Sequence, residues 1–338
     1  MVIIIAEAGV NHNGSLENAK KLVDAAVAAG ADYVKFQTFK ADKIASKAAT
    51  KADYQQKSTG RASSQLEMLR KLELSEAAHL ELIDYCKQKG IHFFSTAFDI
   101  ESIELLHNLG IKLAKIPSGE LTNLPYLRKI APLFSEFVVS TGMSEMSEIK
   151  DALQVLHTAG VPKDKITVLH CNTEYPTPME DVNLKAMLQI REELDVNIGY
   201  SDHTLGIEVP IAAVALGAVI IEKHFTLDRN MEGPDHGASL EPAELKAMVS
   251  AIRNIEKAIS GSGVKTASLS ETKNKAIARK SIHLAREVKA GVPITEADLI
   301  ALRPGSGISP MEWDNIVGKR VTVDLPEGHL LQWTDLKS

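Results

Sequence analysis

The stretch Val-Asn-Ile-Gly-Tyr-Ser-Asp-His at 196–203 is followed, one helix length later, by Val-Ile-Ile-Glu-Lys-His at 219–224. Each stretch is rich in β-branched residues and ends in polar side chains, which is typical of a buried strand with functional groups at its end. The final histidines, His203 and His224, are 21 residues apart. That spacing fits adjacent strands of a strand and helix repeat. We therefore expect the two imidazoles to lie side by side.

The same pattern occurs eight times in residues 2–224. The intervals carry helical periodicity, notably at 16–29, 76–89, 145–159 and 207–216, and several end at a glycine. Units of about 25 to 35 residues, eight in number, fill roughly 250 residues, which favours a closed (β/α)8 TIM barrel over an open doubly wound sheet. The predicted strands are 2–6, 33–38, 92–96, 113–117, 137–141, 166–171, 196–201 and 219–224.

The α/β barrel is predicted over residues 1–260, and two further segments follow it. Residues 261–278 begin with Gly-Ser-Gly and are polar, so we expect a linker. Residues 279–338 contain short strand-like runs with turn signals, which predict a small β-rich domain. Within the barrel, the interval 40–65 is longer and more polar than the others. We expect it to be a lid or a substrate loop.

The composition argues against several classes of partner. A net charge of −6 over 338 residues provides no global basic surface for nucleic acid or for an anionic membrane. No stretch approaches the roughly 20 apolar residues that cross a bilayer. Glu7 interrupts the apolar start of the chain, which predicts a strand and not a signal peptide. Cys86 and Cys171 are expected to be reduced thiols. We therefore expect a soluble, cytoplasmic protein.

Polar side chains cluster at the predicted strand ends, where barrels place their active sites. Lys35 and Lys115 would form a cationic pocket lined by hydroxyl groups, which suits a phosphate and a carboxylate. A Schiff-base aldolase is the alternative, although two histidines at metal spacing argue against it. The polar strand-end residues are Glu7, Lys35, Gln37, Thr96, Lys115, Ser118, Glu120, Ser140, Asn172, Thr173, Tyr175, Ser201, His203, Glu222 and His224.

His203 and His224 together would leave most coordination positions of a metal open. Such a site suits Mn²⁺ or Mg²⁺ better than a closed structural zinc. In the alternative, each histidine only forms hydrogen bonds within the barrel. Glu7 and Glu120 are carboxylates that would orient a hydroxyl group or handle a proton. Asp235 follows the last predicted strand and would bind a polyol, unless its Pro-Asp sequence marks only a turn.

Longer motifs around these residues resemble the sialic acid synthase family, the phosphoenolpyruvate-dependent synthases of nine-carbon sugar acids. The C-terminal segment resembles the antifreeze-like (SAF, β-clip) domain of that family, through Lys-Ser-Ile at 280–282 and Arg-Pro-Gly-Ser-Gly-Ile-Ser-Pro at 303–310. The barrel motifs are Ala-Glu-Ala-Gly-Val-Asn-His-Asn-Gly at 6–14, Val-Lys-Phe-Gln-Thr at 34–38, Phe-Ser-Thr at 94–96, Lys-Ile-Pro-Ser-Gly-Glu at 115–120, Ser-Thr-Gly-Met at 140–143, His-Cys-Asn-Thr-Glu-Tyr-Pro-Thr-Pro at 170–178, Gly-Tyr-Ser-Asp-His-Thr at 199–204, Glu-Lys-His-Phe-Thr at 222–226 and Gly-Pro-Asp-His at 233–236.

The resemblance implies a role for each group of residues. His203 and His224 would bind the metal. Phosphoenolpyruvate would be surrounded by Lys35, Thr96, Lys115, Ser118, Ser140, Thr173 and Ser201, with Asn172 beside them. The amino sugar would contact Glu7, Gln37, Tyr175 and Asp235. The resemblance also implies a domain-swapped homodimer in which Arg303 of one subunit reaches the acyl group of a sugar in the barrel of the other. It assigns no residue in the interval 40–65.

The implied reaction joins carbon 3 of phosphoenolpyruvate to an aldehyde, adds water at carbon 2 and releases phosphate. Glu120 or Glu7 would accept the proton of that water. The first expectation for the sugar is N-acetylmannosamine, which gives N-acetylneuraminate. The alternative is 2,4-diacetamido-2,4,6-trideoxymannose, which gives N,N'-diacetyllegionaminate. A non-catalytic protein that binds sugars or ice is a further alternative, although the C-terminal domain is charged where an ice-binding face would be flat and apolar.

Overall fold

A computed structural model describes residues 1–46, 49–59 and 64–337, and it forms two compact units, Met1–Gly261 and Ser262–Ser338. The first unit is a closed barrel of eight parallel strands in sequence order. The predicted fold is confirmed. The strands are β1 Ile3–Gly9, β2 Tyr33–Thr38, β3 His92–Ala97, β4 Leu113–Ile116, β5 Glu136–Ser140, β6 Ile166–His170, β7 Asn197–Asp202 and β8 Ile220–His224.

Helices follow most strands, and their ends agree with the capping signals in the sequence. The side chain of Ser15 accepts a hydrogen bond from Asn18 at the start of the first helix, and Gly30 ends that helix in the left-handed conformation. The helices of this unit are α1 Leu16–Ala29, α2 Ala41–Ile44, α3 Asp53–Thr59, α4 Gln65–Arg70, α5 Glu76–Lys89, α6 Ile100–Asn108, α7 Leu124–Ile130, α8 Met146–Thr158, α9 Ala186–Leu194, α10 Glu208–Ala215 and α11 Pro242–Ile259.

The interval predicted as a long polar loop contains α2, α3 and the start of α4. The capping box of α4 explains its position, because Ser64 accepts from the backbone of Glu67 and the Glu67 carboxylate accepts from the backbone of Ser64. Residues 47–48 and 60–63 of this interval lie outside the described residues.

Two apolar layers hold the barrel together. The larger layer packs the outer faces of the strands against the helices and includes Val34, Phe36, Ile221 and Phe225. The smaller layer fills the barrel interior with Ile5, Phe94, Val138, Leu169 and Ile220. Because this interior layer fills the amino-terminal end of the barrel, the open end lies at the carboxyl ends of the strands.

The second unit is the small β-rich domain that the sequence predicts. It pairs strands β9 Ser281–Leu284 and β10 Leu299–Leu302 in one sheet, and β11 Arg320–Val321 and β12 Leu336–Lys337 in another. A core of its own includes Ile282, Leu284, Ile316, Val321 and Leu331. The unit also contains the helices α12 Leu269–Ala278 and α13 Trp313–Ile316.

Part of the predicted linker is helical. Residues 269–278 form α12, and none of its residues is buried. A capping box between Ser268 and Glu271 starts this helix, a signal that the polar composition of the segment concealed. None of the helices in the described part of the chain has the length and apolar composition to cross a bilayer.

Candidate active site

The polar layer of the barrel follows directly from strand alternation. Side chains two residues apart on a strand point to the same side of the sheet. A residue two places after an apolar side chain of the barrel interior therefore also points into the barrel. Tyr33 and Leu113 pack against the interior layer, and Lys35 and Lys115 follow them by two residues. The same step leads from the interior apolar residues to Glu7, Thr96, Ser140, Cys171 and Glu222.

Glu222 is the centre of a buried charged cluster, together with Lys35, Lys115 and Glu7. Its carboxylate accepts from Lys115 Nζ at 2.9 Å and lies 3.2 Å from Lys35 Nζ. Ser201 donates to it at 2.8 Å. Lys35 also forms an ion pair with Glu7. The remaining lysine contacts are hydrogen bonds to the hydroxyl groups of Thr96 and Ser140. The lysine donors are thus held toward the barrel mouth, where an oxyanion could replace the carboxylates.

The two carboxylates of the cluster differ in their ionisation. Burial raises the pKa of Glu7 to about 7, against the lowering effect of Lys35. Burial by itself would also raise the pKa of Glu222, but Lys115 and Lys35 outweigh it and hold this pKa well below its usual range. Glu222 is therefore ionised at neutral pH, whereas Glu7 is poised to take up or release a proton there.

His203 and His224 lie side by side, with ring centroids 5.4 Å apart. His203 Nδ1 donates to the carbonyl of Asn172 at 2.6 Å, which leaves Nε2 with its lone pair. Burial lowers the pKa of His203 to about 4 and lowers the pKa of His224 well below its ordinary value. Both imidazoles are therefore neutral at physiological pH, which is the form that binds metals.

These two histidines fit a divalent cation. His224 Nδ1 is buried and has no hydrogen-bond partner in the described part of the chain. Within that same part, no three His, Cys, Asp or Glu side chains are grouped so that they could hold a metal ion. The protein would therefore supply two ligands, and substrate oxygens and water would supply the others.

Two adjoining cavities open at the barrel mouth. The first, which we call the cationic pocket, has a volume of about 240 Å³ and is lined by residues that include Lys35, Lys115, Ser118, Thr173 and Ser201. The second cavity has a volume of about 270 Å³ and includes Asp235 in its lining. The wall between them consists of Gln37, Phe98, Tyr175 and His224, which line both.

An aromatic ring and several polar side chains surround the two histidines. The Tyr175 ring lies 4.0 Å from the His203 ring and 5.6 Å from the His224 ring, between centroids. Asp235 Oδ2 lies 3.9 Å from His224 Nδ1, and burial raises the pKa of Asp235 to about 6. Gln37 Nε2 is 3.5 Å from Glu7 Oε1. The predicted sugar contacts Glu7, Gln37, Tyr175 and Asp235 thus surround the wall between the cavities.

Two sequence-predicted residues of the barrel, Glu120 and Asn172, line neither of these two cavities. Glu120 ends a 3-10 turn and accepts a hydrogen bond from Asn123 at 2.6 Å. It lines a third cavity, which includes Tyr126 and adjoins the other two at Phe98. The side chain of Asn172 accepts from the backbone of Glu174 at 2.7 Å, so it stabilises a turn. Arg303 belongs to the second unit, where its Nε donates to the carbonyl of Ala278 at 3.1 Å.

Glu222 is one of the polar strand-end residues of the sequence for which no role was predicted. The structure makes it the bridge between both lysines. The signal was present, because Glu222 lies two residues before His224 and therefore shares its face of β8. What the sequence could not supply was the neighbouring register, in which Ser201 pairs with Glu222 across β7 and β8.

The fold and this site define a class: a TIM-barrel protein with a buried cationic pocket beside a second cavity at the carboxyl ends of its strands. A model of the NeuB family matches residues 22–265, and a SAF domain model matches residues 279–337. The chain belongs to the NeuB family. The resemblance in the motifs is thereby confirmed, and the chain is an enzyme of the synthase type.

Named relatives align over nearly the whole chain. An N,N'-diacetyllegionaminic acid synthase of Campylobacter jejuni is 53% identical over 98% of this chain and 98% of its own length. One of Legionella pneumophila is 48% identical over 99% of this chain and 94% of its own length. A crystal structure of the N-acetylneuraminic acid synthetase of Leptospira borgpetersenii, in complex with citrate, is 33% identical, with a TM-score of 0.69 over 81% of this chain and 90% of that one.

Proposed function

We propose that this enzyme condenses phosphoenolpyruvate with 2,4-diacetamido-2,4,6-trideoxymannose and water, forming N,N'-diacetyllegionaminate and phosphate. The observation that carries the reaction type is the pair of adjoining cavities, one containing two buried lysines and both sharing Gln37, Tyr175 and His224. A condensation needs two substrates whose reacting carbons meet, and a shared wall provides such a meeting point.

The identities favour this sugar over N-acetylmannosamine, which the sequence analysis placed first. Both diacetyllegionaminic acid synthases described above are about half identical to the chain, at 53% and 48%, whereas the sialic acid synthetase is 33% identical. The order of the two expectations is therefore reversed. N-acetylmannosamine remains the second candidate.

Lys35 and Lys115 would bind the phosphate and carboxylate groups of phosphoenolpyruvate. In the structure their charges are balanced by Glu222 and Glu7. An incoming oxyanion would take over part of these hydrogen bonds, with hydroxyl donors from Ser118, Ser140 and Ser201 around it. Two lysines held in a pocket before the ligand arrives stabilise negative charge without reorganisation, which is the usual source of electrostatic catalysis.

Glu7 is the residue we propose for proton transfer to and from the reacting groups. It is buried at the mouth, lines the cationic pocket and contacts Gln37 in the wall. A pKa near 7 suits a group that must accept the proton of the attacking water and later give it up. Glu120, the other candidate, lines neither of these cavities but a third one, which adjoins them at Phe98.

We also propose that His203 and His224 hold Mn²⁺ or Mg²⁺. When bound, such an ion supplies Lewis acidity at the aldehyde oxygen. Asn172 contributes through its carbonyl, which fixes the tautomer of His203, and Tyr175 holds both rings in place by packing.

The test is phosphate release from phosphoenolpyruvate with Mn²⁺ present, measured with each sugar in parallel. Release that is faster with the diacetamido sugar supports the proposal. Release that is faster with N-acetylmannosamine would identify a sialic acid synthase instead. If neither sugar gives release above the rate without sugar, the proposed reaction is wrong for both.

A domain-swapped homodimer, with Arg303 acting on the site of the other subunit, is a separate proposal. It can be tested by mixing the Arg303→Ala and Lys115→Met proteins, allowing their subunits to exchange, and measuring the rate of phosphate release. If Arg303 acts in trans, heterodimers contain one intact site, and the mixture regains about a quarter of the wild-type rate. If Arg303 acts in cis, no intact site forms and the mixture stays as slow as its components.

A further inference from the structure

The second cavity has an apolar side whose chemistry the proposed reaction leaves unexplained. Val10, Phe39, Met68 and Leu72 are buried and form a cluster of their own, separate from the barrel core. Together with Phe98, which packs edge-on against Phe39 with 6.5 Å between centroids, they line the cavity. We call this side, Val10, Phe39, Met68, Leu72 and Phe98, the apolar chamber.

One helix face supplies much of this lining. Gln65, Met68, Leu69 and Leu72 follow the spacing i, i+3, i+4 and i+7 along α4 and the turn after it, and all four line the cavity. This face lies in the interval 40–72, to which neither the motifs nor the strand ends assign a substrate contact. A segment outside the catalytic strands therefore shapes the cavity, which is how barrels vary their specificity on a constant site.

The orientation of a sugar in this cavity follows from the position of the shared wall. The aldehyde carbon must lie at the wall formed by Gln37, Tyr175 and His224, because phosphoenolpyruvate is expected on its other side. The far end of an open-chain sugar, at carbons 4 to 6, would then extend toward the apolar chamber. This step rests on the proposed function.

From these observations we infer that the apolar chamber is the specificity determinant of the enzyme and selects a 6-deoxy sugar with an acylated amine at carbon 4. The methyl group at carbon 6 would pack on Met68 and Leu72. A hydroxymethyl group there would bury a hydroxyl among side chains that offer it no hydrogen bond, which is unfavourable.

Two amide side chains on the polar edge of the chamber suit the acyl group. Gln65 Nε2 lies 3.5 Å from Gln55 Oε1, and both residues line the cavity. An acetamido group has one donor and one acceptor, and a pair of glutamine amides can serve both. Gln55 Oε1 also accepts from the backbone of Ala52 at 3.1 Å, which holds this amide at the edge of the cavity. Because the contact between the two glutamines is long, Gln65 Nε2 can exchange it for the acyl oxygen of a ligand at little cost.

The experiment compares kcat/KM for 2,4-diacetamido-2,4,6-trideoxymannose and for N-acetylmannosamine in the holoenzyme with Mn²⁺. A hydrophobic pocket discriminates against an added hydroxyl by about 100-fold, so we expect a ratio of this order in the wild type. Met68→Gln introduces a polar side chain of similar length that is an equally good helix former. We expect it to reduce the ratio at least tenfold, mainly by lowering kcat/KM for the diacetamido sugar.

Met68→Leu is the matched control, because it changes the same position but keeps it apolar, and it should retain the wild-type ratio. Leu69→Gln is a second polar variant at a half-buried position, in case Met68→Gln does not fold. Thermal unfolding of each variant confirms that the folded protein is being compared. An unchanged ratio in a folded polar variant would overturn the assignment of the chamber while leaving the proposed reaction intact.

Sugar binding measured by calorimetry separates the two proposals further. If neither sugar releases phosphate, the proposed reaction fails. The chamber would still be supported if the wild type bound the diacetamido sugar, if Met68→Gln weakened this binding tenfold, and if Met68→Leu did not weaken it. Absence of binding in that case would overturn both.

Discussion

Two clusters of buried charge lie on opposite faces of the same barrel wall. Lys223 and Asp202 are fully buried and face outward, toward the helices, and they form an ion pair 2.6 Å long. Lys35, Lys115 and Glu222 are buried almost as deeply but face the barrel mouth and line the cationic pocket. Neighbouring residues on one strand, Glu222 and Lys223, thus belong to two different clusters.

Burial of a charged side chain therefore does not by itself identify a functional group. Burial lowers the pKa of Lys223 and raises the pKa of Asp202, just as burial shifts groups in the pocket. The Asp202 carboxylate also accepts hydrogen bonds from the backbone and the hydroxyl group of Thr204, and Lys223 donates to the Thr204 carbonyl. The outer pair is closed by the protein, whereas the inner cluster borders a cavity that a ligand can enter.

The largest effect is expected for His224→Ala, one residue beyond Lys223 and on the inner face. Turnover should fall to the assay background, because the variant removes one of the two proposed metal ligands and Mn²⁺ binding should be lost with it. The protein should remain folded, because the His224 side chain borders two cavities and its removal leaves no void inside the apolar core. Phosphate release, Mn²⁺ binding by electron paramagnetic resonance and circular dichroism measure the three quantities.

His107→Ala is the control for this variant, since His107 is an exposed residue of α6. It should leave turnover and Mn²⁺ binding unchanged. Near-normal turnover or Mn²⁺ binding in His224→Ala would show that the histidines only form hydrogen bonds, the alternative that the sequence left open.

Lys223→Met tests the outer pair. It removes one partner of a fully buried ion pair and leaves the Asp202 carboxylate uncompensated, so the free energy of unfolding should fall by about 3 to 5 kcal/mol. Chemical denaturation measures this loss. The kcat of the protein that remains folded should stay within a few-fold of the wild type, because Lys223 does not line either substrate cavity.

Lys150→Met is the matched control, because its partner Glu193 and Lys150 itself are both exposed. Loss of such a surface pair changes the free energy of unfolding by about 0 to 1 kcal/mol. If Lys223→Met were as harmless as this control, or if it abolished turnover without loss of stability, the division into a structural and a functional cluster would be wrong.

The sequence predicted the barrel and most of the inner cluster for the same reason. Alternation along a strand is local, so Tyr33 and Lys35, or Ile5 and Glu7, reveal their shared face without knowledge of the rest of the fold. The glycine that ends α1, Gly30, was an equally local signal. These features need only a few consecutive residues.

Features that depend on partners far apart in the chain were harder to predict. The pairing of Glu222 with Lys35 and Lys115 depends on the closure of β1 against β8. The helix α4 begins where the polar interval ends, and it was not predicted because its apolar face is short and packs on Phe39 and Phe98 instead of the barrel core. The direction of Glu120 follows from a turn after β4, and strand alternation ends before that turn.

Lys115→Met tests the inner cluster. Removal of one preorganised cationic donor should lower kcat/KM for phosphoenolpyruvate by about 100- to 1,000-fold. Stability should change little, since Glu222 keeps its contacts with Lys35 and Ser201. Lys129→Met, which removes an exposed partner of Glu104, is the control and should not affect kcat/KM. Equal effects of the two variants would show that net charge matters and not the position of Lys115.

The smallest effect concerns the proton on Glu7. If the carboxylate is the required form, kcat/KM should rise with pH and become constant above about 7, since burial raises the pKa of Glu7 to about 7. Below that pH, kcat/KM should fall about tenfold for each pH unit, because a single proton inactivates the carboxylate. Glu7→Gln should be slower, and its kcat/KM should not show this fall below pH 7. Ionisation of the phosphate group of the substrate affects both enzymes equally and therefore cannot produce the difference.

Identical pH profiles of the two enzymes would show that Glu7 does not carry the proton. The inner cluster would then resemble the outer pair in having no carboxylate that transfers a proton. A fall below pH 7 that occurs only in the wild type would instead identify Glu7, which faces the cavity, as the proton acceptor. Asp202 cannot take that role, because its oxygens already accept hydrogen bonds from Lys223 and Thr204.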